Sequence, residues 1–234
     1  MYIKNRAAAL VLRIFIFAAC GYALVTMSNL FGGGFTARAL AYYTNLSSIA
    51  LMIYLLCSIT HTAKDIMQKG IGGTSTFLPA VKRPFVWMVT ITVVIYHFIL
   101  APMAFRMNLT YQLFSLPDIL IHYVTPLGFI LDWLLFDEKG RTKIKDPLKW
   151  LIIPFAYVVF VFIRAEVGQP LNRHGTRFPY FFLDIDILPV GQVAGYLLFC
   201  LVGFIALGYI YFLADKYINR IPVKGRSVDR PLDL

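Results

Sequence analysis

The stretch Val193–Ala214, VAGYLLFCLVGFIALGYIYFLA, carries no charged residue, and about 20 helical residues suffice to cross the hydrocarbon core of a bilayer. Its apolar residues do not alternate with polar ones as a barrel strand would require. It therefore reads as a helix lying in lipid. Five more apolar runs of similar length precede it, at 8–27, 40–60, 84–104, 117–136 and 148–165. Together they predict an all-α, polytopic membrane protein, a single six-transmembrane-helix bundle over residues 1–234, with its longest outward connection at 166–192.

Composition agrees. The chain is 59% hydrophobic and 15% charged, where a soluble domain averages about 25% charged residues. Its net charge of +10 would suit nucleic acid only if the basic residues gathered on one soluble face, and here they lie between apolar runs. Arg38, Arg106, Arg164, Arg173 and Arg177 fall on one side of the expected membrane, and the other seventeen of the 22 Lys and Arg, Arg13 and Lys82 among them, fall on the opposite side. That bias predicts both termini in the cytoplasm.

Lys4 and Arg6 followed by an apolar run, with Phe17-Ala18-Ala19-Cys20 inside it, imitate a cleavable signal. The run continues through Val25, longer than a signal core, so it is expected to remain as the first span. Cys20, Cys57 and Cys200 all sit in apolar stretches without zinc or disulfide spacing and read as small buried hydrophobes. Gly70–Ser75 reads as a flexible loop, and Asp137-Glu138-Lys139-Gly140-Arg141 as a short charged turn. No metal or nucleotide motif is present, so no cofactor is expected.

Ionisable groups inside a membrane are costly and mark candidate sites. In the fourth span Asp118, His122, Thr125 and Asp132 share one helical face. His122, near the outward end, is a candidate general base, the alternative being a hydrogen bond to a neighbouring helix. Asp118 is either its orienting partner or, as Ser115-Leu116-Pro117-Asp118 suggests, an acid in the first turn of a capped helix, and the latter reading is favoured here. Asp132 lies about 15 Å further along the axis and is expected to pair with a cation or hydroxyl elsewhere. In the second span Thr44, Ser47 and Ser48 share a face, and such hydroxyls ordinarily bond a carbonyl one turn back or join helices. Thr44 and His122 each lie about one turn inside the outward start of their span, so a hydroxyl and an imidazole can meet if those helices are neighbours. His97 is the second candidate base, while His61 and His174 lie elsewhere.

Three segments carry a resemblance: Tyr42-Tyr43-Thr44-Asn45-Leu46-Ser47, Ile121-His122-Tyr123-Val124-Thr125-Pro126, and Phe178-Pro179-Tyr180-Phe181-Phe182-Leu183-Asp184. In their order and in the number of spans the chain resembles the androgen-induced gene protein family of membrane threonine hydrolases and its bacterial relatives. The resemblance implies hydrolysis of a fatty-acyl ester, such as a fatty acid ester of a hydroxy fatty acid, in a bacterial plasma membrane, with Thr44 as nucleophile and His122 as base. Asn45, Ser47 and Tyr180 are then candidate oxyanion or substrate contacts, and Ser48 a secondary nucleophile. The sequence differs from the animal members in Asn45 and Ser47 and in the extra aspartates after Tyr180. The expected partner is a membrane lipid or fatty-acyl ester, with no nucleic acid and no metal. The rival readings are a small transporter or lipid-binding protein using Asp118, His122 and Asp132 as a polar path, and an acyltransferase built on the same dyad.

Overall fold

The computed structural model describes residues 2–28, 37–106, 112–171 and 175–218. It is helical, with six helices long and apolar enough to cross a membrane: α1 (Arg6–Met27), α2 (Tyr43–Lys69), α3 (Pro79–Phe105), α4 (Leu116–Phe136), α5 (Asp146–Val167) and α6 (Val190–Ile218). Each expected span has its helix. α2 outruns its apolar stretch because the polar residues His61–Lys69 still favour helix, and it stops at Gly70, whose φ of +76° suits a residue without a side chain. His174 and the basic residues beyond Ile218 lie outside the described residues.

α1 to α4 form the frame. Buried residues make up 44% of the most apolar window of α4 but only 6% of that of α6, so α6 is the outermost helix. The frame is tied at the end that carries the amino terminus by charges with essentially no exposed side-chain surface. Arg13 Nε donates to Asp132 at 3.0 Å, and Lys82 Nζ lies 2.5 Å from Asp132 and 2.7 Å from Asp137. Arg13 also reaches Thr62 Oγ1 at 2.6 Å and the Ser75 carbonyl at 2.8 Å. Asp132 thus finds the cations expected of it. One expectation changes as a result: Arg13 and Lys82, counted above as membrane-side markers, are interior ion-pair partners, and Asp137 of the charged turn is buried with them. Without Arg13 and Lys82 the basic bias between the two ends still points the same way.

Gly70–Ser75 is also not the loose loop its composition suggests. The Arg6 guanidinium donates to the carbonyls of Gly70 at 2.8 Å and Thr74 at 3.1 Å, and to that of Gly72. Gly73, at φ +111°, packs so closely that a Cβ there would meet Arg6 Nη2 at 2.5 Å. Of the cysteines only Cys20 is buried; Cys57 is exposed and Cys200 half-buried.

α3 and α4 each contain one widened turn, Tyr96–Leu100 and Leu120–Val124, where the amides of Ala101 and Thr125 reach back five residues, to Tyr96 and Leu120. A proline stands two residues past the end of each turn, Pro102 and Pro126. A proline ring collides with the carbonyl four residues back, and a wider turn makes room for the ring. The two distortions lie side by side, with the rings of Tyr96 and His122 stacked at 3.7 Å and 9°.

Candidate active site

At the end of the bundle opposite the ion cluster, α4 starts on Leu116-Pro117-Asp118, proline in the first turn and the acid behind it. The Asp118 side chain turns inward and is buried. Its Oδ2 accepts from the Phe114 amide at 2.9 Å and from the Tyr96 hydroxyl. Phe114 sits at φ +60°, an unfavourable region for a residue with a side chain, and that amide bond holds it there. Asp118 Oδ1 lies 2.9 Å from His122 Nδ1. A carboxylate only accepts, so the imidazole proton belongs on Nδ1, and Nε2 keeps its lone pair. Asp118 is therefore both a first-turn acid and the partner of His122, where the sequence favoured the first role alone.

Thr44 is the second residue of α2 and is buried. The preceding Tyr42 gives the helix no side-chain cap. A cap comes instead from the connection between α5 and α6, where the Tyr180 hydroxyl accepts from the Tyr43 amide at 3.1 Å. The same hydroxyl interacts with the Thr44 side chain and with Tyr157, and burial pushes it up to about 12. The connection folds back over the helices through Phe178, Tyr180, Phe182 and Leu183, all buried, with the Tyr180 and Phe182 rings stacked at 5.2 Å.

Thr44 and His122 line one cavity of about 490 Å³, and Tyr42, Asn45, Tyr96, Tyr180 and Asp184 bring further polar groups to its wall. The remaining candidates divide. Asn45 reaches the wall, but its Nδ2 donates to the Ala39 carbonyl at 2.8 Å. Ser47 Oγ bonds the Thr44 carbonyl at 3.0 Å, the hydroxyl-to-carbonyl pattern of a membrane helix, and neither it nor Ser48 lines the cavity. Both are thereby corrected as oxyanion donor and reserve nucleophile. His97 is exposed, 3.0 Å from the Tyr123 hydroxyl, and lies off the wall, so it does not stand beside Thr44 as a base. His61 bonds Ser75 at the opposite end, 3.1 Å away.

Residue type pointed to His97, but helical phase points to Tyr96. Met88, Thr92 and Tyr96 are buried at four-residue intervals, and that spacing was legible in the sequence. Asp184, buried on the cavity wall and accepting from the Asp186 amide at 3.0 Å, had no comparable signal. Among the described residues no cluster of three His, Cys, Asp or Glu is arranged for a metal. Compared with protein-family models, curated proteins and solved structures, the chain finds no match.

Proposed function

We propose that this membrane protein is an intramembrane lipid-ester hydrolase with Thr44 as nucleophile, His122 as general base and Asp118 as the residue that positions His122. The observation that carries the reading is that Thr44 and His122 face one cavity while Asp118 holds His122 by Nδ1. His122 Nε2 takes the Thr44 hydroxyl proton as Oγ1 bonds to the ester carbonyl carbon. The tetrahedral oxyanion receives a hydrogen bond from the Tyr180 hydroxyl, helped by the positive end of α2. Collapse breaks the bond to the alkoxy oxygen, which takes the proton now on Nε2 and leaves as the alcohol. Water then gives a proton to Nε2 and attacks the threonyl ester, and the second collapse releases the carboxylic acid while Nε2 returns its proton to Thr44 Oγ1. The β-branch of threonine limits its rotamers and keeps Oγ1 in place between turnovers.

The resemblance noted in the sequence assigns the same two roles. The excess of basic residues at the amino-terminal end supports cytoplasmic termini, and with that orientation the cavity would lie near the outer face, at the depth of a lipid ester's carbonyl. The test is labelling of the detergent-purified protein with a fluorophosphonate alongside hydrolysis of p-nitrophenyl acyl esters. The parent is expected to label and hydrolyse, and Thr44→Ala and His122→Ala to do neither while eluting as folded protein. Undiminished labelling in Thr44→Ala would overturn the assignment.

A further inference from the structure

Thr44 stands in a wall between two spaces that differ in size and in polar content. One is the wide cavity it shares with His122, mostly apolar but with a substantial minority of polar surface. The other is a narrow slot of about 60 Å³ that runs between α2, α3, α5 and α6 and is lined almost wholly by apolar atoms. Thr44, Leu100 and Tyr180 belong to both. We infer that the slot is the acyl-chain site and sets which chain lengths the protein accepts, while the wide cavity receives the alcohol and the hydrolytic water.

This inference rests on the hydrolase reading. An ester carbonyl at Thr44 must send its two substituents in different directions, and the surroundings decide which goes where. Ile91, Val158, Leu197 and Phe204 offer the slot nothing that could replace water around a hydroxyl or a charge, so a polar substituent there would be left unsatisfied. A methylene chain loses nothing. The slot's small volume against that of its neighbour selects an unbranched chain, and the wide cavity, the only one of the two with appreciable polar surface, suits the departing alcohol. On α6, Leu197, Cys200 and Phe204 are spaced three and four apart and so lie in a row along one helical face, spanning about 10 Å of depth. Leu197 is the nearest of the three to the end that carries Thr44, and Phe204 the farthest.

The test compares kcat/KM for p-nitrophenyl butyrate and p-nitrophenyl palmitate. Val158→Trp and Leu197→Trp, from different helices, each fill the slot and are expected to lower the palmitate-to-butyrate ratio at least about tenfold. Phe204→Ala deepens it and is expected to raise the ratio. Equal effects on both esters in all three variants would overturn the slot while leaving the hydrolase standing. A second readout does not need catalysis: Thr44→Ala is irradiated with a palmitoyl ester carrying a diazirine at the chain end. Crosslinks on α5 or α6 that an excess of palmitate ester suppresses and butyrate does not would support the slot, even if the parent hydrolyses nothing and the hydrolase reading fails. Crosslinks confined to other helices would overturn it.

Discussion

The imidazole of His122 is held on two sides, by Asp118 at Nδ1 at 2.9 Å and by the Tyr96 ring across its face at 3.7 Å. Asp118→Asn keeps the shape but lets the side-chain amide donate toward Nδ1, which favours the tautomer with its proton on Nε2, the nitrogen that the proposed mechanism uses as base. The expected result is a fall in kcat on the order of 10³-fold or more with KM little changed, read from steady-state hydrolysis. A residue with only a structural role would lower the amount of folded protein and leave the kcat of what remains intact. Lys139, just past α4, offers a test of a different kind. Its ammonium donates to the carbonyls of Trp133 at 2.6 Å and Asp137 at 2.9 Å, yet burial pushes it down from 10.5 to about 8. Between those values the unfolded chain holds a proton that the folded chain has released, so stability rises with pH across that window and is flat, for this group, below it. Thermal unfolding from pH 7 to 10 should show that rise in the parent and a smaller one in Lys139→Met.

At the scale of elements, the cluster of Arg13, Lys82, Asp132 and Asp137 joins α1, α3 and the end of α4. A buried charge stripped of its partner costs about 3–5 kcal/mol, whereas an apolar replacement of a whole pair can be nearly neutral. Asp132→Asn is therefore expected to destabilise strongly, and Arg13→Met combined with Asp132→Leu to cost less than the sum of the two single changes, as measured by denaturation in mixed micelles. The inward face of α4 was legible because Asp118, His122, Thr125 and Asp132 recur at helical spacing, and all four are buried. The partners were not legible. Arg13 and Lys82 sit near the ends of their spans, where a basic residue ordinarily reaches to the interface, and only the packing of α1 and α3 against α4 turns them inward. The same limit applied to Ser47 and Thr44, since periodicity places both on one face but does not say which neighbour each meets. The widened turns left a trace in Pro102 and Pro126, though a proline alone allows a kink as readily as a wide turn.

For the molecule as a whole, orientation is open to direct measurement. In a background lacking Cys20, Cys57 and Cys200, a cysteine at Glu138 is expected to resist a membrane-impermeant maleimide in intact cells, and one at Gln169 to react. The reverse pattern would place the proposed site on the cytoplasmic face. The capping of α2 from a distant part of the chain carries a further consequence. Because the hydroxyl that closes the first turn of α2 comes from Tyr180, raising the connection off the bundle removes the cap and loosens the turn that carries Thr44. On the proposed reading, a molecule gaping there to bulk solvent would be one whose nucleophile has lost its setting.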